Sequence, residues 1–196
     1  MADHPAASAP AKVLPKHARV VIIGGGILGC SVAYHLGKLG WRDIVLLEQG
    51  QLTCGTTWHA AGLVGQLHGS HASTEFAKYT VELLKTIEAE TGQDPGYRES
   101  GSISIATSAE RLAELKRKAD FGSLFGIEAH YLSSSEIERY WPLMNPEGVL
   151  GGILMPRDGS ANPIDLTMAL ARGARQYQAQ LLEGVQVQQV LVEGER

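Results

Sequence analysis

Cysteine is scarce. Cys30 and Cys54 are the only two in 196 residues, too few for a disulfide scaffold and too sparse for a zinc site, which fits a reducing compartment. Positive charge is short as well: 17 Lys and Arg stand against 21 Asp and Glu, a formal net charge of −4. The chain therefore lacks the basic footprint that binding a nucleic-acid backbone demands. No long hydrophobic run exists either. The longest, Val20 to Cys30, is interrupted by four glycines and falls well short of the roughly 20 apolar residues that span a bilayer. The first 18 residues, MADHPAASAPAKVLPKHA, hold three prolines, with neither the apolar core of a secretory signal nor the Arg and Ser richness of a transit peptide. They read as a disordered lead-in, and the expected setting is cytoplasmic, with no nucleic-acid partner and no membrane. No internal repeat is visible.

Glycine is in excess, at 23 of 196 residues against a usual frequency of roughly 7%. The apolar share of 44% and the charged share of 19% are ordinary for a globular protein, and the length suits one domain, or one and a part.

The pattern along the chain predicts an α/β fold. Arg19–Ile23 is a continuous β-branched run of the kind that is buried on both faces of a parallel sheet. Ile27 to Leu39 is periodic for a helix through Leu28, Val32, Leu36 and Leu39, with Gly40 as its stop. Asp43 to Glu48 is a second buried strand, closing a βαβ unit. Gln49 to Gly69 has no periodicity and is expected to be a loop. Further helices are predicted over His71 to Thr91, from Ala109 to about Phe121 behind the cap Ser108, from the Ser133–Glu136 capping box to Trp141-Pro142, and from Pro163 to Ala179. Glu114 and Lys118 have the spacing of an i, i+4 pair. Strands are expected at Ser102–Ala106, Ile127–Leu132 and Leu150–Met155, with a final one through Val185, Val187 and Val190–Val192. The middle strands are short and alternating, which suggests an antiparallel element inserted into, or packed beside, the parallel sheet.

Gly24, Gly26 and Gly29 supply a phosphate-binding fingerprint: one glycine for the tight turn, one for close approach to a pyrophosphate, one for helix–strand packing. Three features of context support it. The fingerprint follows a buried strand, it opens a helix whose N-terminus favours an anion, and Glu48 ends the second strand 19 residues after Gly29. Glu48 would accept ribose hydroxyls and repel a 2′-phosphate, so a dinucleotide other than NADP is expected.

The run LTCGTTWHAAGLV, from Leu52 to Val64, with the fingerprint and the later GSISIAT, resembles the dimethylglycine and sarcosine dehydrogenase family of flavoproteins, in the D-amino-acid-oxidase-like superfamily. The resemblance runs from about Arg19 to the last residue. It implies a Rossmann-like FAD-binding sheet of the glutathione-reductase type, here incomplete, and FAD joined covalently at its 8α-methyl group to His59. It further implies that Gly55, Thr56, Thr57, Ala60, Gly62 and Leu63 lie along flavin and pyrophosphate. Ile27, Leu28 and Gln49 would touch the adenosine-diphosphate half, and Val187 would meet the adenine. A neutral imidazole nitrogen is the form that can add to the flavin carbon.

The activity implied is oxidative demethylation of a small N-methyl amine such as dimethylglycine or sarcosine, with hydride passing to flavin N5. Electrons would leave to an electron-transfer flavoprotein or oxygen, and tetrahydrofolate would bind only in a C-terminal domain beyond residue 196. On that footing the chain is the N-terminal portion of a longer flavoprotein: a lead-in over 1–18, the FAD-binding βαβ and flavin loop over 19–95, part of a substrate domain over 96–160, and a return helix and strand over 161–196. A eukaryotic source would place it in the mitochondrial matrix. No catalytic base can be named. Two other readings stand beside this one: a non-catalytic regulator resembling the regulatory subunit of pyruvate dehydrogenase phosphatase, and a plain NAD-dependent dehydrogenase.

Other candidates are simpler. His68 and His71 are three apart but lack companions, so no metal is expected. Cys30, in the first turn of the fingerprint helix, reads as small-residue packing. Cys54 precedes the flavin loop, and Asp158-Gly159 reads as turn chemistry.

Overall fold

The computed structural model describes residues 13–194. The lead-in expected over 1–18 lies for residues 1–12 outside the described residues, and 13–18 form no helix or strand. In chain order the elements are β1 (Val20–Ile23), α1 (Ile27–Lys38), β2 (Ile44–Glu48), a 3-10 turn (Thr57–His59), β3 (Leu63–Val64), α2 (His71–Thr91), β4 (Ser102–Ala106), α3 (Ala109–Ser123), β5 (His130–Leu132), α4 (Ser134–Tyr140), β6 (Gly151–Met155), β7 (Gly159–Ser160), α5 (Pro163–Gln176) and β8 (Gln180–Glu183). They fall into two compact units, one formed by the residues up to Thr56 and from Leu170 on, the other by Thr57–Ala169.

The first unit is built on a parallel sheet in the order β1-β2-β8. β2 is central, and its Ile44, Val45 and Leu46 are buried. β1 departs from expectation. It is an edge strand among the described residues, and Val21 and Ile23 are 54% and 59% exposed. The β-branched run reads as a two-sided core strand, yet no described strand covers its far side.

α1 departs in a related way. Its buried residues are Cys30, Ala33, Tyr34 and Gly37, while Leu28, Val32 and Leu39 point outward. The reason is steric. A Cβ on Gly29 would stand 2.0 Å from the Gly24 carbonyl oxygen and 3.3 Å from Ile22 Cγ2, so the helix lies close against the strand. Contact that close requires small residues where the helix meets the strand, and Tyr34 is the large side chain that the buried face takes in. Gly37 serves the same end against Tyr177, whose Cβ is 2.5 Å from where a Gly37 Cβ would be.

The closing strand is also displaced. The valines from Val185 to Val192 form no strand, and β8 runs over Gln180–Glu183, parallel to β2 with Glu183 opposite Glu48. Main-chain bonds nevertheless carry the chain on along the sheet's end: Gly184 N donates to Gly50 O and Val185 N to Glu48 O. α5 ends at Gln176, short of the expected Ala179, and Gln178 turns the chain with φ +70°.

The second unit carries an antiparallel sheet in the order β4-β6-β5, the element the alternating strands predict. Its core gathers Leu67, Ala106, Leu115, Ala119, Ile127, Ile153 and Met155. Helix ends follow their caps. Ser70 accepts from Ser73 N, Ser108 from Arg111 N, and Ser133 with Glu136 forms a reciprocal capping box. Gly92 closes α2 at φ +70°. Glu114 pairs with Arg111 at 2.8 Å, at i, i+3 spacing, and Lys118, the expected partner, acts on its carboxylate through charge. β5 is limited to His130–Leu132, the stretch of the predicted strand that reaches β6.

The Tyr97 hydroxyl in this unit is buried and has no hydrogen-bond partner. Burial, then the charges of Glu99 and Asp158, push the phenol's pKa up, so the group stays neutral. A buried hydroxyl left unpaired is destabilising. Tyr97→Phe keeps the ring and is expected to raise stability by about 1 kcal/mol, measured as a higher urea midpoint with an unchanged slope.

Candidate cofactor-binding site

In the first unit the fingerprint forms a turn and a helix start. Gly24 adopts φ +108°, a conformation that L side chains rarely take. Gly26 is the N-cap, and no acidic residue stands in the first turn of α1, so the helix start keeps the polarity that attracts an anion. Ile27 is half-buried beside it. The Leu28 side chain is 80% exposed, so its backbone rather than its side chain belongs to the turn.

Glu48 organises the rest. Its Oε2 accepts from Gly25 N at 2.7 Å, and its Oε1 accepts from Gly50 N at 2.7 Å and from the Cys54 thiol at 3.7 Å. Burial pushes the carboxyl pKa up, but the Gly50 and Gly25 N–H groups and the Cys54 thiol outweigh it and hold the group below the usual carboxylate range. Glu48 is thus a charged, fixed acceptor with lone pairs to spare. Gln49 next to it is exposed, as are Gly55 and Thr56.

Gly25, Gly50 and Thr53 complete the loop around Glu48. Gly25 donates to Glu48, and a Cβ on it would lie 2.6 Å from Leu52 Cδ2. Thr53 is buried at φ +73°, an outlier for a β-branched residue, and its N–H donates to Gly25 O. The three-glycine run gives a signal for Gly25, whereas nothing in the sequence marks the strain at Thr53. Leu52 N donates to Glu183 Oε1 at 2.7 Å, tying the same loop to β8. Val187 is half-buried just past the Val185–Glu48 bond. Cys30 is core: burial pushes its thiol up to about 11, so it carries no thiolate chemistry near neutral pH.

In the second unit the 3-10 turn places Thr57 inward and Trp58, His59 and Ala60 outward. The His59 ring lies over the Trp58 ring, with centroids 3.7 Å apart. Ala60 N donates to Thr57 O. Gly62, at φ +71°, abuts the chain so closely that a Cβ would meet Ala161 O at 2.2 Å, and Ala161 N donates to Gly62 O at 2.8 Å. Leu63 then enters β3, paired with Ser160 of β7 and 83% exposed. β3 and β7 lie in segments expected to be loop and turn. Among the described residues no cluster of three or more His, Cys, Asp or Glu is placed to hold a metal, and no helix is long and apolar enough to cross a membrane.

These features fit a dinucleotide: a glycine cradle with no room for side chains at Gly29, a bare helix start, and an ionised carboxylate beside it. Residues 19–196 match the family of FAD dependent oxidoreductases known as DAO. The chain belongs to this family.

The DAO match is supported by individual relatives. Human mitochondrial sarcosine dehydrogenase is 42% identical over 182 residues, 92% of this chain and 20% of that protein. Rat mitochondrial dimethylglycine dehydrogenase is 43% identical over 160 residues, 82% of this chain and 19% of that protein. The mouse mitochondrial pyruvate dehydrogenase phosphatase regulatory subunit is 40% identical over 186 residues, 95% and 21%. The chain thus spans about a fifth of the length of these relatives. Among solved structures, L-proline dehydrogenase from P. horikoshii superposes with a TM-score of 0.85 at 29% identity, covering 92% of this chain and 47% of that one. The α/β architecture with its parallel sheet is accordingly the DAO fold.

Proposed function

We propose that the chain is the FAD-binding part of an oxidoreductase acting on small N-methyl amines of the sarcosine and dimethylglycine kind. The observation that carries this reading is the conjunction of the Gly24–Gly29 cradle and the fixed Glu48 carboxylate with membership of the DAO family. Gly24, Gly26, Ile27, Leu28 and Gly29 would hold the pyrophosphate through backbone groups. Glu48 would accept ribose hydroxyls, with Gln49 and Val187 near the adenosine half. Gly55, Thr56, Thr57, Ala60, Gly62 and Leu63 would line the flavin, and His59 would hold it covalently. When bound, FAD supplies the two-electron sink for oxidation of a carbon beside an amine nitrogen. The chain's own part is to bind, orient and keep polar groups paired. The exposed imidazole of His59 suits attachment, since a neutral ring nitrogen offers the lone pair. Likeness to sarcosine and dimethylglycine dehydrogenases supports the substrate class. An electron-transfer flavoprotein or oxygen as acceptor, and tetrahydrofolate in a further domain, belong to the same proposal.

A second reading has its own observation: the phosphatase regulatory subunit is as similar as the dehydrogenases, so a regulatory flavoprotein would share every feature above. Turnover of sarcosine or dimethylglycine with an artificial acceptor, by a protein carrying the complete family sequence, separates the two.

The covalent link has a direct test. The protein loaded with FAD is expected to keep yellow flavin fluorescence at its own mobility on a denaturing gel, and His59→Ala to bind flavin but release it there. Fluorescence that leaves the wild type on denaturation would contradict the role given to His59.

A further inference from the structure

We propose that Asp158 is a positioning residue for the loop that carries His59, an inference whose purpose rests on the flavin reading above. Asp158 is 8% exposed, and nothing in that reading uses it. Its carboxylate meets donors on both oxygens: Oδ1 accepts from Gln66 N at 2.9 Å, and Oδ2 accepts from the Ser102 hydroxyl at 2.7 Å. The backbone of Asp158 is itself held, since Gly101 N donates to its oxygen at 2.7 Å and its N–H donates to Met155 O at 3.3 Å.

The carboxylate thus joins the end of β6 and the start of β4 to the chain just after β3. That chain is in need of support. β3 has two residues, which pair with the two of β7, and two strands by themselves are marginal at best. From Gly62 to Gln66 the anchors come in succession: Gly62 O to Ala161 N, the β3–β7 pairs, then Gln66 N to Asp158. The Gln66 side chain adds a bond from Nε2 to Arg157 O at 3.3 Å. Upstream of these anchors lie Thr57 to Ala61, with His59 exposed and its ring against that of Trp58.

An ionised carboxylate accepts at both oxygens and donates nothing, which matches two donors, and its charge-assisted bonds are roughly twice as strong as neutral ones. Asparagine would match the Gln66 N–H with its oxygen and must then rely on the Ser102 hydroxyl turning to accept. Alanine would leave the Gln66 N–H unpaired in a buried place.

Amide hydrogen exchange on the chain, read residue by residue, tests the tie without any flavin. In Asp158→Ala, the amides from Gly62 to Leu67 are expected to exchange at least tenfold faster, while Ile103, Ile105 and Ile153 in β4 and β6 keep their protection. Asp158→Asn is expected to show the same selective change at a few-fold, and Ser102→Ala to leave Gln66 close to wild type. Unchanged protection of residues 62–67 in both Asp158 variants would overturn the proposal. So would loss of protection throughout β4 and β6 in Asp158→Ala with no selective loss in Asp158→Asn, because Asp158 would then support the fold as a whole.

With FAD added, the share of bound flavin that survives denaturation is expected to drop about tenfold in Asp158→Ala and to recover in part in Asp158→Asn. An undiminished share would remove the link to His59. A wild type that takes up no flavin would sink the flavin reading, and the exchange result would still decide the role of Asp158.

Discussion

Gly29→Ala is expected to abolish dinucleotide binding and to destabilise the first unit by about 3 kcal/mol or more, the upper range for overpacking. The new methyl would stand 2.0 Å from the Gly24 carbonyl oxygen and 3.2 Å from its carbon. Both are backbone atoms of the turn that forms the cradle, so no side chain can swing aside. The helix must lift away from β1 at Gly29, disturbing the packing of the buried Cys30, Ala33 and Tyr34. Gly55→Ala is the matched control. No atom lies within 4 Å of its added carbon, and its φ is unexceptional, so stability should move by less than about 0.5 kcal/mol. Urea midpoints of the two variants check the contrast, and an FAD titration of Gly29→Ala checks the loss of binding. A Gly29→Ala protein as stable as Gly55→Ala would contradict the packing described for α1.

Glu48→Ala carries the second large effect. The carboxylate satisfies the N–H groups of Gly25 and Gly50 in a nearly buried site. Removing it strands both donors, at a cost of about 2–4 kcal/mol. Glu48→Gln keeps one acceptor oxygen and should lose about half as much. The pH dependence has a definite sign. The folded carboxyl has a lowered pKa, so its contribution is present above the unfolded value of about 4.3 and is lost as pH falls through the lower folded value. Wild type should therefore lose stability in acid more steeply than Glu48→Gln, and the two urea midpoints should converge below about pH 4. Curves that stay parallel from neutral to acid pH would show that Glu48 is not held as a carboxylate.

How legible all this was in the sequence varies with the physics involved. Caps and turn glycines act through neighbours in the chain, so Ser108, Ser133, Gly40 and Gly92 mark helix ends that the structure keeps. The βαβ order and the antiparallel middle element follow from periodicity, and the structure has both. Large apolar residues do not mark the buried face everywhere. In α1 the buried face holds Cys30, Ala33, Gly37 and the large Tyr34 rather than Leu28 and Val32, and Gly29 brings the helix onto Ile22, a contact between residues seven apart that periodicity does not encode. β1 is the same lesson: a β-branched run says that a strand can be buried, whereas its position at the sheet edge depends on what lies beside it.

The final valines alternate like a strand, yet β8 lies a few residues earlier, where Gln180–Glu183 is in register with Val45–Glu48. The two-residue strands β3 and β7 are held by Asp158, Gly62 and Ala161, which lie far apart in the chain. The turn at the fingerprint glycines is local to the strand–helix junction, whereas Glu48 reaches Gly25 across 23 residues, a relation that the βαβ pattern carries. Gly50 and the strained Thr53 emerge only from the folded loop.

The proposed function requires that the Gly24–Glu48 cradle take FAD. Calorimetric titration of the chain with FAD and, separately, with NAD measures it directly. Saturable binding of FAD at one site per chain, no comparable binding of NAD, and loss of the FAD signal in Gly29→Ala are expected. Binding of NAD in place of FAD, or FAD binding that Gly29→Ala leaves unchanged, would contradict it.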